Sequence, residues 1–150
     1  MINVKFARMT EEAVIPKYAK LGDAGMDLYA LTGQIIPANA RGFMVKTGLK
    51  VWLPENYELQ VRPRSGMSAK TAIRVANAPG TVDEGYTGEI CILVDNFSDE
   101  EFVIDADNRR IAQAVIKFVP PVTVTEISLD EMNERKTERG DGGFGHTGRN

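Results

Sequence analysis

The chain has 150 residues, of which 43% are hydrophobic and 26% charged, and this composition suits one globular domain that buries its own core. The formal net charge of -3 excludes a global positive field that would attract nucleic acid or an anionic membrane. A single cysteine, Cys91, excludes an intrachain disulfide, and a single histidine, His146, excludes a histidine-rich metal site.

The N-terminal residues 1–8 alternate like a strand and lack the apolar region of a signal peptide. No apolar run in the sequence approaches the length of a membrane span. We therefore expect a cytoplasmic protein with no membrane contact and no direct binding of nucleic acid.

Short strands separated by Gly and Pro turns account for most of the chain. Residues 49–53 and 57–61 alternate apolar and polar side chains, and residues 90–94 form the short apolar run of a buried strand. Further strands are predicted at 102–104, 111–118 and 122–127. Regular short strands with frequent turns indicate an all-β sandwich or barrel.

Two segments have helical character. The small side chains of Ser65–Ala72 predict one short helix, opened by Ser65 or Ser68. Ser128 and Glu131 have the spacing of a capping box, which predicts a single helical turn there. The last stretch, Arg139–Asn150, is rich in glycine and polar residues, so we expect a mobile C-terminal arm (139–150) after a core (1–138) within one domain, 1–150.

The first segment that suggests chemistry is Asp23-Ala24-Gly25-Met26-Asp27-Leu28. Asp27 is either a turn aspartate or a carboxylate that holds the water shell of Mg²⁺. The second segment is Arg62-Pro63-Arg64-Ser65-Gly66-Met67-Ser68, where a strand runs into a helix start. Either the guanidinium fork of Arg64 binds phosphate together with the Ser65 hydroxyl and the Gly66 amide at the helix N-terminus, or Arg64 is solvated and precedes an ordinary capped helix.

The third segment, residues 77–90, is predicted to be a hairpin with a Gly-bearing turn. The backbone donors and acceptors of its arms can form hydrogen bonds with the edge of a pyrimidine, as they would with a neighbouring strand. Asp83 lies at the bend, where a base can face a pocket, and the flat face of Tyr86 can pack on a sugar and exclude a 2′-hydroxyl. The alternative is that Asp83 is a turn residue and Tyr86 packs in the ordinary way.

The fourth segment places Gln113 within the otherwise apolar strand Ile111–Ile116. A buried amide needs partners, which are either backbone groups or a phosphate. The fifth segment is Arg139-Gly140-Asp141-Gly142-Gly143-Phe144-Gly145-His146-Thr147-Gly148, whose glycines allow N–H groups to converge on an anion. Either Phe144 stacks on a base, or it belongs incidentally to a disordered tail.

Taken together and in order, these five segments resemble the motif set of the trimeric dUTPase family over about residues 16–148. The second is similar to Pro-Arg-Ser-Gly, the third to Gly-x-x-Asp-x-x-Tyr-x-Gly-Glu-Ile, and the fourth to Arg-Ile-Ala-Gln. The fifth is similar to Arg-Gly-x-Gly-Gly-Phe-Gly-x-Thr-Gly. The resemblance implies a jelly-roll-like β-barrel and a homotrimer whose shared active sites hydrolyse dUTP to dUMP and pyrophosphate, which limits uracil in DNA and supplies dUMP for dTMP synthesis.

The resemblance also implies a role for each matching residue. Asp83 is the general base that activates water and contacts the 3′-hydroxyl, and Mg²⁺ on the triphosphate is bound by Asp27 through water. Tyr86 packs on the deoxyribose, and uracil is read by Asn77, Gly80, Thr81, Val82 and Cys91. The phosphates are held by Arg64, Ser65, Gly66, Gln113, Arg139, Gly145, His146 and Thr147, with Phe144 stacked over uracil.

Three positions depart from the family pattern: His146 replaces a more usual Ser, Gly85 a more usual Asp, and Arg109 a frequent Asp. Two alternative functions remain open. A dCTP deaminase on the same fold would release ammonia from dCTP, and a regulatory module, if the chain is virus-encoded, would bind a protein partner.

Overall fold

The computed structural model describes residues 2–142. In chain order, the elements in these residues are β1 (Lys5–Arg8), β2 (Met26–Tyr29), β3 (Gln34–Ile36), β4 (Phe43–Lys46), β5 (Leu49–Trp52), β6 (Tyr57–Pro63), α1 (Ser65–Lys70), β7 (Ile73–Val75), β8 (Gly80–Val82), β9 (Cys91–Asn96), β10 (Phe102–Ile104), β11 (Arg110–Phe118) and α2 (Leu129–Glu134). The residues divide into two compact units with the boundary between Pro120 and Pro121.

The first unit contains all the strands of the described chain, arranged in antiparallel sheets. The largest sheet has the order β2-β11-β6-β8, and a second has the order β4-β9-β7. Two-stranded pairs β1-β5 and β10-β3 accompany them. Strands distant in sequence are paired throughout, as in a jelly roll. The predicted all-β, jelly-roll-like fold is confirmed.

The core of this unit is formed by strands in which every second side chain points inward. β5 buries Leu49 and Val51 while Lys50 and Trp52 face outward, and β9 buries every second residue in the same way. The largest fully buried side chains are Leu28, Ile36, Leu49, Leu59, Ile90, Ile92, Ile104, Ile111, Val45, Val94, Asn96 and Thr47. Burial of these apolar side chains is the main favourable term in folding.

The predicted strands 49–53, 57–61, 90–94, 102–104 and 111–118 correspond to β5, β6, β9, β10 and β11. The predicted short helix is α1, which begins at Ser65. Ser65 is one of the two serines expected to open it, and the N-cap residue before it, Arg64, makes no side-chain capping bond. The Arg64 side chain instead bonds Asp27.

The predicted hairpin of residues 77–90 is not a paired ladder, and that prediction was wrong in this respect. β8 pairs with β6, whereas β9 pairs with β4 and β7, so the two arms belong to different sheets. Gly80 leaves room for the Asn77 side chain, because a Cβ there would lie 3.1 Å from Asn77 Nδ2. Residues 83–90 therefore link the two sheets.

The second unit is described for residues 121–142. The predicted strand 122–127 was wrong: the segment has no ladder partner among the described residues, and Val122 and Val124 are 77% and 92% exposed. Alternation alone does not make a strand without a neighbour to bond. The capping prediction is confirmed, since the Ser128 hydroxyl accepts a hydrogen bond from the Glu131 amide at 3.1 Å and α2 follows.

Within residues 2–142, neither helix is long and apolar enough to cross a membrane. The division into a core (1–138) and an arm (139–150) stays a prediction, because residues 143–150 lie outside the described part of the chain.

Candidate active site

A cavity of about 270 Å³ opens beside the loop that joins β8 to β9. Six residues predicted to bind the nucleotide line it: Asn77, Thr81, Val82, Asp83, Tyr86 and Cys91. Four more line it that were not predicted: Met44, Glu89, Ile90 and Leu93. Met44 and Leu93 are paired across β4 and β9 and face away from the buried neighbours Val45, Ile92 and Val94. Strand periodicity could have identified this apolar wall.

Asp83 follows β8 directly and is exposed. Its carbonyl accepts a hydrogen bond from the Tyr86 amide at 3.1 Å, which closes a four-residue turn. Within residues 2–142, the structure gives its carboxylate no hydrogen-bond partner. The turn therefore presents a free carboxylate at the rim of the cavity.

The ring of Tyr86 is held from two sides. Its hydroxyl donates to the Glu89 carbonyl at 3.0 Å, and the ring packs directly over Gly88, where a Cβ would lie 2.5 Å from Cζ. The side chain also borders a second, apolar cavity of about 370 Å³, lined in part by Phe6, Val51 and Trp52. Tyr86 thus forms a flat wall between two cavities.

Cys91 lies at the inner end of the 270 Å³ cavity, at the start of β9. Burial raises the pKa of its thiol, the neighbouring Glu89 charge raises it further, and Lys46 acts in the opposite direction. The thiol is therefore protonated and uncharged at neutral pH. It offers the cavity a weak donor and little nucleophilic reactivity.

A second group of predicted residues gathers around Asp27 on β2. Arg64 Nε lies 2.7 Å from Asp27 Oδ1, and Arg110 Nη1 lies 3.4 Å from Oδ2. Arg64 Nη1 also donates to the Arg110 carbonyl at 3.0 Å. Two guanidinium groups thus meet at one carboxylate that is 25% exposed. Arg110 is the arginine of the Arg-Ile-Ala-Gln motif, but sequence reasoning gave it no role, because its contact with Asp27 is created only by the fold.

Gln113 occupies the central strand β11, directly opposite Asp27 on β2 and Arg62 on β6. Its amide nitrogen donates to the Pro63 carbonyl at 2.9 Å. Gly25 leaves room for this side chain, since a Cβ there would overlap Gln113 Oε1 and lie 2.9 Å from its Cδ. Gln113 also lines a cavity of about 380 Å³ with Pro79, next to Gly80.

The remaining predicted residues in the described chain are peripheral to these contacts. Ser65 and Gly66 are exposed at the first turn of α1, and Gly80 is buried beside the Asn77 amide. Arg139, in the second unit, is exposed and donates to the Gly142 carbonyl. Phe144, Gly145, His146 and Thr147 lie outside the described residues.

Arg109, which departs from the family pattern, has a structural role. Its guanidinium donates to the carbonyls of Ala30 and Leu31, both at 2.8 Å. It therefore fixes the end of β2 beside the start of β11 and does not belong to the Asp27 group.

The donor chemistry around Asp27 bears on the predicted Mg²⁺. Within residues 2–142 there is no cluster of three or more His, Cys, Asp or Glu side chains able to hold a metal. Asp27 is a single carboxylate, and Mg²⁺ in such sites depends on substrate phosphates and water for its other ligands. The residues fit a metal brought in with a polyphosphate and do not form a dedicated cage.

The predicted residues thus form two groups. Asn77, Asp83, Tyr86 and Cys91 border the 270 Å³ cavity, whereas Asp27, Arg64 and Gln113 surround the junction of β2, β11 and β6. The first group combines a flat ring, backbone edges and a free carboxylate. The second combines positive charge with an amide, which is suited to phosphates.

Known proteins resemble the chain in both sequence and fold. Residues 11–148 match the family model described as dUTPase. The deoxyuridine 5'-triphosphate nucleotidohydrolase of Alkaliphilus metalliredigens is 43% identical over 148 residues, which cover 99% of each chain.

Solved structures extend the likeness to the fold. The dUTPase of Staphylococcus bacteriophage 80alpha, with dUPNHPP, matches with a TM-score of 0.82 at 24% identity, covering 98% of this chain and 99% of that one. A mutant dUTPase from phage phi11 of S. aureus, described as coordinating a structural Mg(II) ion, matches with a TM-score of 0.75 at 20% identity, covering 83% of this chain and 96% of that one. Since a family model spans most of the residues and a full-length relative exceeds 40% identity, the chain belongs to the dUTPase family.

Proposed function

We propose that the protein hydrolyses dUTP to dUMP and pyrophosphate by in-line attack of water on the α-phosphorus. The observation that carries this proposal is the free Asp83 carboxylate, which borders the same cavity as the Tyr86 ring. Phosphoryl chemistry of this kind needs positioning and charge stabilisation from the protein more than covalent work.

Asp83 is the general base in this proposal. Its carboxylate, free of partners within residues 2–142, orients the attacking water, takes its proton, and contacts the 3′-hydroxyl of the sugar. Asp27, by contrast, is ion-paired with Arg64 and does not line this cavity.

Tyr86 selects the deoxyribose. Its hydroxyl is bonded to the Glu89 carbonyl and its ring packs on Gly88, so an added 2′-hydroxyl would meet the face of the ring. Uracil is read by the Asn77 amide and by the backbone of Gly80, Thr81, Val82 and Cys91.

The phosphates are held by Arg64, Ser65, Gly66 and Gln113. Arg64 is bonded to Asp27, so binding of a triphosphate would require Arg64 to share or exchange that partner. Released from this pair, Asp27 would hold Mg²⁺ through water. The metal would supply neutralisation of the triphosphate charge.

As the family resemblance implies, the protein would form a homotrimer with shared sites, in which one copy supplies the Asp83 cavity and a neighbour the Asp27 group. The arm of a further copy closes over this site, where Arg139, Gly145, His146 and Thr147 grip the γ-phosphate and Phe144 stacks over uracil. In the cell, this activity would limit uracil in DNA and supply dUMP for dTMP synthesis. A regulatory protein partner stays a prediction, conditional on a viral source.

The test is pyrophosphate release from dUTP, dTTP, dCTP and UTP, each with Mg²⁺ and with EDTA, together with ammonia release from dCTP. Metal-dependent release from dUTP alone supports the proposal. Release from all four nucleotides, or ammonia from dCTP, would overturn it. Mass measurement by light scattering tests the trimer separately.

Gly88→Ala is expected to reduce the preference for dUTP over UTP by about tenfold. The new methyl group would push the Tyr86 ring out of place and weaken its hydrogen bond to the Glu89 carbonyl. Gly85→Ala is the matched control in the same loop, because a Cβ at Gly85 meets nothing within 4 Å. The measurement is kcat/KM for both nucleotides. Equal preferences in the two variants would argue against Tyr86 as the selector.

Deletion of residues 139–150 is expected to leave the barrel folded and to lower kcat/KM for dUTP on the order of 10²-fold, because arm closure completes the site and excludes water. Deleting only Arg149 and Asn150, which follow the last motif, is the control and should keep full activity. Thermal unfolding and kinetics are measured for both. Loss of the folded state on removal of 139–150 would show that the segment is structural.

A further inference from the structure

The turn between β4 and β5 holds the far end of the loop that carries Asp83 and Tyr86. The Gly48 amide donates to Glu89 Oε1 at 2.8 Å, and the Thr47 hydroxyl donates to the Ile90 carbonyl at 2.6 Å. The Ile90 amide donates in turn to the Leu49 carbonyl at 2.8 Å. Three hydrogen bonds therefore join residues 47–49 to residues 89–90.

These bonds are sheltered and the turn has little freedom. Thr47 is 1% exposed, and its hydroxyl also accepts from the Leu49 amide at 3.2 Å. Gly48 has a φ of +69°, and a Cβ there would lie 2.8 Å from a methyl group of Leu31. Since buried hydrogen bonds are costly to leave unmade, the turn is a rigid anchor.

The anchor is connected to the proposed site by a short path. Glu89 binds the turn with its carboxylate and accepts the Tyr86 hydroxyl with its carbonyl. The Tyr86 amide then bonds the Asp83 carbonyl. The position of Glu89 thus determines the orientation of the Tyr86 ring. The backbone amide of Tyr86 in turn closes the turn that presents the Asp83 carboxylate.

We propose that Glu89 and Thr47 are positioning residues for the reaction: by clamping residues 89–90 to the β4–β5 turn, they set the ring of Tyr86 and the turn at Asp83. This inference rests on the proposed function, since it assigns the two residues to dUTP selection. Neither side chain needs to touch the reacting atoms. The Glu89 carboxylate acts as a hydrogen-bond acceptor, so an amide in its place should serve nearly as well.

The test compares Glu89→Ala with Glu89→Gln, which keeps the Oε1 acceptor, and with Glu101→Ala, which removes an exposed carboxylate elsewhere. Steady-state kinetics with dUTP and UTP are combined with amide hydrogen exchange of residues 83–90. We expect Glu89→Ala to raise KM for dUTP about tenfold, to reduce the preference over UTP, and to accelerate exchange in the loop. Glu89→Gln should stay within about twofold of the wild type, and Glu101→Ala should be unchanged.

Two substitutions of Thr47 provide an independent pair of variants. Thr47→Val keeps the shape and removes the hydroxyl, whereas Thr47→Ser keeps the hydroxyl. The valine variant should behave like Glu89→Ala and the serine variant like the wild type. If Thr47→Val fails to fold, the comparison of Glu89→Ala with Glu89→Gln still tests the positioning role.

The outcomes separate the two proposals. If the wild type hydrolyses no dUTP, the proposed function is overturned. Amide hydrogen exchange of residues 83–90 then tests the structural contact between residues 89–90 and the β4–β5 turn by itself, and faster exchange in Glu89→Ala than in Glu89→Gln supports that contact. Equal exchange, or equal KM and equal nucleotide preference, in the alanine and glutamine variants overturns the positioning role. A merely structural role would lower the melting temperature without changing the preference for dUTP.

Discussion

Asp83→Asn is expected to lower kcat for dUTP by about 10²-fold to 10⁴-fold, the range attributed to a general base in proton transfer. The amide keeps the size and the hydrogen-bonding oxygen of the carboxylate, but it cannot take a proton from water. The turn should survive, because it is closed by the Asp83 carbonyl and the Tyr86 amide rather than by the side chain. The affinity for deoxyuridine nucleotides should therefore change little.

The measurement pairs single-turnover kinetics with equilibrium binding of a non-hydrolysable dUTP analogue. Asp99→Asn is a suitable control, since it removes an exposed carboxylate from the turn between β9 and β10. Turnover in Asp83→Asn equal to that of the control would exclude Asp83 as the base. A loss of binding as large as the loss of turnover would assign Asp83 to substrate contact instead.

Much of the fold follows from local pattern. Alternation with period two located β5 and β6, and the apolar run at 90–94 located β9, because burial of one or both faces leaves a direct trace in the sequence. Which strands pair with each other is less evident from the sequence. The arms of the predicted hairpin pair with strands other than each other, whereas residues 122–127 have no ladder partner among the described residues.

The same distinction applies to the candidate site. The roles of Asp83, Tyr86 and Gln113 stay predictions, and they came from the five motifs in order, because each residue taken alone has an ordinary structural explanation. Arg110 and Glu89 were missed, because their roles depend on contacts with Asp27 and Gly48 that only the fold creates. Residues that position others are harder to predict than residues that carry chemistry.

The arrangement around Asp27 has a consequence for binding. Arg64 is paired with Asp27, so if Arg64 binds phosphate as proposed, part of the attraction for a triphosphate would be offset by breaking or sharing this pair. Both side chains are about one-quarter exposed, and solvent screens such pairs, so this cost is small. On the proposed function, a polyphosphate carrying Mg²⁺ would displace the pair, because it would offer Arg64 an anion and Asp27 a cation together.

Arg64→Ala is expected to lower kcat/KM for dUTP on the order of 10²-fold to 10³-fold, as when a preorganised donor to developing charge is removed. Arg64→Lys should recover only a minor part, because a point charge cannot reproduce the fork that now spans Asp27 and the Arg110 carbonyl. Binding of deoxyuridine, which lacks phosphates, should be unchanged in both variants. Kinetics with dUTP and calorimetry with deoxyuridine provide the two measurements.

Arg74→Ala is the matched control, because it removes one exposed guanidinium from β7, where Arg74 bonds only local carbonyls at 2.8 Å. It should show full activity, which would separate the specific contact from the change in net charge. Were Arg64→Ala to weaken deoxyuridine as much as dUTP, Arg64 would shape the nucleoside cavity instead of binding phosphate. Were it to match Arg74→Ala in every measurement, the Arg64–Asp27 pair would be a surface ion pair with no part in the reaction, and the phosphate site would have to be sought around Gln113 and the 380 Å³ cavity beside it.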